Sequence, residues 1–344
     1  MITVKDIAKA TGVSATTVSR VINNSGYVGE KTKRKVEKAL NDLNYKPNAL
    51  ARSLVSQRSN SIALIHQDIG TVFFAKLVNG IQEEIHRAGY QLIICNSNQN
   101  IQQETDYLKM VQENRVAGIL IIPVAMHNPE LAVMVKQRFP VVTIARQVDD
   151  VAVDSVVADN LGGSYTCIQH LVKLGHKRIG IINGPQTTST GRDRWLGVKR
   201  AFEEFNIPYS AELIRESAFT IKSGFNETLA LLKLPERPTA IFAANNLMAA
   251  GVLQALRAEG LSVPDDMSVV GFEGFDDLDF GLIINPALTA NIHPSREMGR
   301  VGVRLLLAKI AEKSEPDQNL NPVAAQEIKL KTEFVVRESC KAIG

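Results

Sequence analysis

The sequence has few of the features that mark disulfide scaffolds, secreted proteins or membrane proteins. It contains three cysteines in 344 residues, Cys95, Cys167 and Cys340, which are far apart and do not have zinc-binding spacing. We expect reduced thiols in a cytoplasmic protein, because oxidising compartments favour paired cysteines. No apolar run reaches the about 18 residues that a membrane-spanning helix needs, and the N-terminus is polar, unlike a signal peptide.

Signatures of catalysis are also missing from the sequence. The six histidines show no metal-binding spacing such as H-x-x-x-H, and there is no G-x-S-x-G nucleophile elbow. The glycine-containing stretch GPQTTSTGRDR matches neither of the glycine patterns that bind phosphates. We therefore predict a protein that is not an enzyme and that uses no cofactor or metal.

The composition, in contrast, is that of a folded protein with two or three globular units, since 45% of residues are hydrophobic and 22% are charged. Residues 1–60 carry eleven Lys and Arg against four Asp and Glu, a net charge of +7. The other 284 residues carry 28 against 32, a net charge of −4. A charge run is usually only a solvated face, but a basic head on an acidic body suggests that the head meets a polyanion.

The N-terminal stretch TVKDIAKATGVSATTVSRVIN predicts two short helices joined by a tight turn. Thr3 can cap the first helix, with Asp6 completing a capping box, and Gly12 ends it where a positive φ is usual. Ser14 can cap the second helix, and Val18 would pin it to the first. The pattern predicts a helix-turn-helix, although an ordinary helical hairpin with a solvated polar face is the plainer interpretation.

The second helix has the polar face of a DNA-reading helix. Short polar side chains at its start precede an arginine one turn later, and arginine pairs bidentately with guanine. A third amphipathic helix from Glu30 to Leu43 completes a head of residues 1–46, whose basic charge supports DNA binding. From this head we expect DNA contacts by Thr3, Ser14, Ala15, Thr16, Thr17, Arg20 and Asn23.

The stretch VKDIAKATGVSATTVSRVIN, followed by EKTKRKVEKALNDLNYKPNALARSL, resembles the lac repressor/purine repressor (LacI/GalR) family of bacterial transcription regulators. By composition alone, residues 47–60 look like a linker, because so short a helix is marginal in water. The resemblance implies instead a hinge helix that folds on DNA, pairs with its dimer mate and inserts a leucine into the minor groove. The matching DNA contacts are Asn48, Ala51 and Leu54.

From Ser61 onward, short apolar strands alternate with amphipathic helices. Strands are predicted at 62–65, 91–97, 116–123, 140–145, 178–184, 239–245 and 268–274. Helices are predicted to begin near Phe74, Gln103, Pro129, Leu161, Thr190, Ser223 and Asn246. Continuous apolar strands between helices predict α/β architecture, with parallel sheets covered on both faces. The strands are too many for one small sheet, so we expect two doubly wound halves with a cleft between them.

The resemblance implies that residues 61–344 form an effector-binding and dimerisation domain of the periplasmic-binding-protein type. Its first half would contain about 61–160 and 291–322, and its second half about 161–290 and 323–344. The strand QEIKL, together with FVV, would then close the second half.

Ligands of such folds bind at the carboxyl ends of the strands. At these positions the resemblance implies an effector site made of Phe73, Phe74, Arg146, Thr190, Arg192, Arg194, Phe219, Asn245 and Glu273. Arginine and carboxylate groups bridge neighbouring hydroxyls and aromatic rings cover C–H faces, so we expect a sugar or sugar acid. The plainer interpretation places the phenylalanines in the core and an arginine in a surface ion pair.

Three departures from the family pattern indicate an effector of different shape or charge. Asn246 and Glu273 stand where aspartate is usual, and His293 stands where glutamine is usual.

Three functions remain to be compared. The best supported is a transcription regulator, most simply a repressor, gated by a small molecule. A free solute-binding protein would explain the body alone, but the basic head and the missing signal peptide argue against it. An enzyme acting on a sugar or nucleoside would need an acid–base set in the cleft, and none is found. We expect a homodimer that binds a near-palindromic operator in the cytoplasm, associated with the nucleoid.

Overall fold

The computed structural model describes residues 2–23, 26–43, 45, 60–274, 285–314 and 324–343. The chain forms two compact units, a head that extends to Ser59 and a body that begins at Asn60. The predicted hinge contacts Asn48, Ala51 and Leu54 lie outside the described residues, as does all of the predicted hinge segment except Asn60.

The head contains the three predicted helices, α1 (Val4–Thr11), α2 (Ala15–Asn23) and α3 (Glu30–Asp42). Each helix contributes one fully buried apolar side chain, Ile7, Val18 and Val36 respectively. So small a core leaves much of the stability of the head to its helix caps and its turn.

The body contains strands that alternate with helices. Its strands are β1 (Ser61–His66), β2 (Gln91–Asn96), β3 (Gly118–Ile121), β4 (Val141–Ile144), β5 (Asp154–Ala158), β6 (Ile179–Asn183), β7 (Ile214–Glu216), β8 (Ala240–Ala243), β9 (Ser268–Phe272), β10 (Thr289–Ile292), β11 (Glu327–Leu330) and β12 (Glu333–Val335). Its helices are α4 (Val72–Arg87), α5 (Ile101–Glu113), α6 (Pro129–Lys136), α7 (Asn160–Lys173), α8 (Ser189–Glu204), α9 (Ile221–Leu232), α10 (Asn246–Ala258) and α11 (Ser295–Ser314).

These strands form two six-stranded sheets, one in each half of the body. The first has the order β11-β5-β4-β3-β1-β2 and is parallel throughout. The second has the order β12-β10-β9-β8-β6-β7, and only β12 runs antiparallel to its neighbour. Central strands such as β3 and β4 are buried at every residue, because helices cover both faces. The predicted α/β architecture of two doubly wound halves is confirmed.

The pairing of the C-terminal strands corrects one expectation. The stretch QEIKL was expected in the second half, but as β11 it pairs in parallel with β5 in the first sheet, with Ile328 opposite Val156. Only β12 joins the second sheet. The chain therefore passes between the halves at residues 331–332 and not near 322. The sequence pattern does not predict β5, because DSVVA opens with two polar residues, and without β5 the first sheet offers QEIKL no partner.

The second passage between the halves also lies slightly later than expected, because β10 pairs with β9 as far as residue 291. Among the residues that the structure describes, no helix has both the length and the apolar character that crossing a membrane requires.

Candidate functional site

The caps of the head position its second helix. The Thr3 hydroxyl accepts a hydrogen bond from the Asp6 backbone N–H, and the Asp6 carboxylate accepts one from the Thr3 N–H at 2.8 Å, so the predicted capping box forms. Gly12 has φ of 65°, a left-handed conformation that costs glycine least. The Ser14 hydroxyl then accepts a hydrogen bond from the Thr17 N–H at 3.1 Å, which caps α2.

The predicted DNA-contacting side chains lie mostly on the solvent side of the head. Those of Thr3, Ser14, Ala15, Thr16 and Arg20 are exposed, and Thr17 is half-buried. Asn23 is the last residue of α2. A polar exposed face on α2, opposite the buried Val18, is what insertion of a recognition helix into a major groove requires.

In the body, one cavity of about 600 Å³, partly open to solvent, lies where strands of both sheets end. Seven of the nine predicted effector residues line it, namely Phe73, Arg146, Thr190, Arg194, Phe219, Asn245 and Glu273. Further lining residues that were not predicted as contacts include Gln67, Asp68, Gln99, Asn246, Leu247 and His293.

Phe74 and Arg192 do not line this cavity. The Phe74 ring instead packs against His66, with ring centroids 5.0 Å apart, and joins the apolar core of the first half. Arg192 points along the edge of the cleft, where its guanidinium lies 3.3 Å from the Asp149 carboxylate. The plainer interpretation therefore holds at these two positions, one in the core and one in a surface ion pair.

Arg194 is the centre of the second-half wall. It lies on α8 and is 1% exposed. Its Nε donates to Asn160 Oδ1 at 2.9 Å, Nη1 donates to the Ala244 carbonyl at 2.5 Å, and Nη2 donates to Glu273 Oε1 at 2.8 Å. Its guanidinium carbon lies 4.0 Å from the centroid of the Phe272 ring. Arg194 thus ties α7 to the ends of β8 and β9.

Glu273 meets Arg194 from an unusual backbone conformation. Its φ is 59°, in the left-handed region that non-glycine residues rarely adopt. Its N–H donates to the Asn291 carbonyl at 2.8 Å, which fixes the turn after β9. Strain of this kind persists at sites where the surroundings impose it, and here it accompanies a carboxylate that reaches Arg194.

Arg146 occupies the opposite wall, just after β4, and is 6% exposed. Its Nη1 donates to the carbonyls of Pro123 at 3.1 Å and Val124 at 3.2 Å. Burial lowers the pKa of Arg146 to about 10, and the positive charge of Arg194 acts in the same direction. Among the described residues, no carboxylate forms an ion pair with Arg146.

A buried acid, Glu104 on α5, supports the Arg146 wall from behind. It is 0% exposed and accepts hydrogen bonds from the Val124 N–H at 2.8 Å and from Asn128 Nδ2 at 2.6 Å. Burial raises the pKa of Glu104 to about 7. Glu104 was not predicted, although its spacing to Leu108 and Val111 places it on the buried stripe of α5, where an acid is unusual.

Aromatic rings close the cavity on two sides. The Phe219 ring centroid lies 5.7 Å from the guanidinium carbon of Arg146 and 6.0 Å from that of Arg194. A Cβ atom at Gly184 would overlap the Phe219 ring, so this close approach requires glycine. On the other side, the Phe73 ring meets His293 edge-on at 5.3 Å, and burial lowers the pKa of His293 to about 4.

The two halves also touch at the edge of the cleft. The Gln147 N–H donates to the Ser189 hydroxyl at 2.9 Å, and the Met126 N–H donates to the Thr187 carbonyl at 3.1 Å. A ligand in the cavity would meet side chains from both walls, so its binding would bear on how the halves close.

A helix-turn-helix head combined with a two-sheet body that holds a polar cavity is the architecture of a DNA-binding regulator with a ligand-binding body. Residues 3–48 match the protein family described as "Bacterial regulatory proteins, lacI family". Residues 59–331 match the family described as "Periplasmic binding proteins and sugar binding domain of LacI family". The chain belongs to the LacI family, and it is a DNA-binding transcriptional regulator and not an enzyme.

Individual proteins give the same result. The chain is 36% identical over 345 residues to the HTH-type transcriptional regulator DegA of Bacillus subtilis, with 99% of each covered. It is 32% identical over 347 residues to the HTH-type transcriptional repressor PurR of Photobacterium profundum, with 100% of each covered. The lac repressor dimer bound to operator and the anti-inducer ONPF is similar with a TM-score of 0.84, at 28% identity over 99% of each chain. The complex of the transcriptional regulator CelR with cellobiose has a TM-score of 0.72 at 29% identity, over 98% of this chain and 100% of that one.

Proposed function

We propose that the protein is a repressor whose affinity for operator DNA is set by a small hydroxyl-rich effector, a sugar or sugar derivative. The observation that carries this is the convergence of Arg146, Arg194 and Glu273 on one cavity of about 600 Å³, beside the rings of Phe73 and Phe219. Guanidinium and carboxylate groups bind neighbouring hydroxyls, and aromatic rings cover the C–H faces of a sugar.

The relatives support the same ligand class. The matching family description names a sugar-binding domain, and one similar regulator was solved with cellobiose. The effector would act by changing how the two halves of the body close, and that change would alter DNA binding. The coupling is reciprocal, so operator DNA must change effector affinity by the same factor.

On the DNA side, Arg20 would read a guanine and Thr16 a neighbouring base edge in each half-site of a near-palindrome bound by a homodimer in the cytoplasm. Leu54 would act as the minor-groove wedge of the hinge segment. Arg20→Ala should weaken operator binding by about 1–3 kcal/mol and relax specificity at one position of each half-site. The matched control is Arg34→Ala, another exposed arginine of the head, which should leave base preference unchanged.

The experiment for gating is operator affinity, measured by fluorescence anisotropy, with and without each member of a sugar and sugar-acid panel. A cognate effector should change the operator affinity of the wild type, and Thr190→Val should reduce that change, because Thr190 lines the cavity. Arg200→Gln lies on the same helix, is exposed and outside the cavity, and should respond as the wild type does. A wild-type protein that binds effector without any change in operator affinity would contradict the proposal.

A further inference from the structure

The cleft contains two buried arginines, and among the described residues only one of them forms an ion pair, although Glu273 and Glu104 lie close enough for their charges to act on the other. Arg194 forms an ion pair with Glu273 at 2.8 Å. Arg146 donates through Nη1 to two backbone carbonyls and, among the described residues, has no carboxylate partner. Since Arg146 lines the cavity, the rest of its guanidinium is what a bound molecule meets.

A buried charge without a counter-ion is costly, so a protein keeps one mainly where a partner is supplied. Backbone carbonyls satisfy hydrogen-bond donors but bring no net charge. A carboxylate of the ligand would satisfy the planar fork of Arg146 and supply the missing negative charge together.

The other acids near the cavity, Glu104 and Asp68, do not form an ion pair with Arg146. Both oxygens of Glu104 are occupied, one by the Val124 N–H and the other by the Asn128 amide. Asp68 lines the cavity, but it is only half-buried and its Oδ1 accepts a hydrogen bond from the Gly70 N–H at 2.9 Å. Neither forms an ion pair with Arg146.

We infer that the effector is a polyhydroxy monocarboxylate, whose carboxylate binds Arg146 while its hydroxyls meet Thr190, Arg194 and Glu273. This rests on the proposed function, and it narrows the sugar derivatives to sugar acids. Arg146 lacks an ion-pair partner among the described residues, and one carboxylate of the ligand would supply it.

The test uses the full-length protein and matched ligand pairs. The acids are the D- and L-hexonates and hexuronates, each compared with the alditol or aldose of the same configuration, and glucose 6-phosphate represents phosphate esters. Binding is measured by thermal shift and then by calorimetry. An acid should bind about ten- to a hundredfold more tightly than its neutral partner, the range expected for a hydrogen bond to a charged group.

Arg146→Met should abolish that preference and leave the acid and its neutral partner with similar affinities. Arg200→Gln, an exposed arginine outside the cavity, should keep the preference. Because Arg146→Met must remain folded for this comparison, far-UV circular dichroism and operator binding are measured on the same samples.

Several binding results would contradict this inference, and one of them would also contradict the proposed function. Neutral sugars that bind wild type as tightly as their acids, or a phosphate ester that binds more tightly than every carboxylate, would overturn this inference alone. Equal loss of both ligand types in Arg146→Met would make Arg146 a hydroxyl contact and also overturn it. A panel in which no compound binds would contradict the hydroxyl-rich effector of the proposed function, and this inference with it.

Discussion

The two walls of the cleft accommodate a buried guanidinium in different ways. On the second-half wall, Arg194 has an amide, a carbonyl, a carboxylate and the face of Phe272 around it. On the first-half wall, Arg146 has two carbonyls and no carboxylate partner among the described residues. The guanidinium of one wall is therefore ion-paired without a ligand, whereas we propose that the guanidinium of the other wall takes its partner from the ligand. Arg194 therefore stabilises the cavity as well as lining it, whereas Arg146 lines it without an ion-pair partner.

The largest loss of stability should come from replacing Arg194 on the second-half wall. Arg194→Met leaves the Glu273 carboxylate, the Ala244 carbonyl and the Asn160 amide without their partner, and should lower the free energy of unfolding by about 3–5 kcal/mol. Trp195, the single tryptophan, lies on the same helix, so urea unfolding at fixed protein concentration can be followed by its fluorescence. A loss below about 1 kcal/mol would show that the pair contributes little.

The buried carboxyl of Glu104, behind Arg146, should make the stability of the body depend on pH. The pKa of the buried Glu104 is raised to about 7 from 4.5, so the folded state binds more protons than the unfolded state between these values. Stability contributed by this group therefore falls as pH rises from 4.5 to 7, by about 3 kcal/mol if the whole shift is realised.

The variant Glu104→Gln isolates this effect. The histidines His66 and His293 titrate over an overlapping range, with pKa values lowered by burial to about 3 and 4, but they are common to both proteins and cancel in the difference. The wild type should lose stability relative to Glu104→Gln between pH 4.5 and 7. Parallel pH profiles would contradict a carboxyl that ionises inside the body.

The Phe219 ring, which lies near the guanidinium groups of both Arg146 and Arg194, packs closely against Gly184. Gly184→Ala would drive a methyl group into the Phe219 ring, and overpacking of this kind costs about 1–3 kcal/mol. In a Phe219→Ala background the same substitution should cost much less, because the overlap is gone. A double-mutant cycle by urea unfolding measures the coupling, and additive effects would mean that the ring moves aside freely.

The smallest change in stability should come from replacing Arg192 at the edge of the cleft. Arg192 is over a third exposed and pairs with Asp149 across the edge. Arg192→Gln should change the free energy of unfolding by less than about 0.5 kcal/mol, because exposed ion pairs contribute little. A loss comparable to that of Arg194→Met would place Arg192 among the residues that hold the cavity together.

Local signals in the sequence predict local structure well in this chain. The Thr3–Asp6 box, the left-handed Gly12 and the Ser14 cap all follow from residue type and spacing alone. The strand ends likewise place Arg194 and Glu273 at one edge of a sheet, because parallel strands share that edge.

Nonlocal features are harder to predict. Phe73 and Phe74 are neighbours in sequence but point about 100° apart on a helix, so only one reaches the cavity. The position of β11 depends on which sheet has a free edge, which no stretch of sequence states by itself. Whether an arginine pairs with a carboxylate, as Arg194 does, or with carbonyls, as Arg146 does, depends in the same way on distant parts of the chain.

The most direct test of this account compares Arg194→Met with Arg146→Met in the absence of ligand, by urea unfolding followed through Trp195 at pH 7. Replacing an unpaired buried cation removes a desolvation cost along with its hydrogen bonds, so Arg146→Met should stay within about 1 kcal/mol of wild type. Arg194→Met should lose about 3–5 kcal/mol, because it breaks a buried pair and leaves Glu273 behind. Equal losses in the two variants would contradict the claim that one wall is complete and the other is open to a ligand.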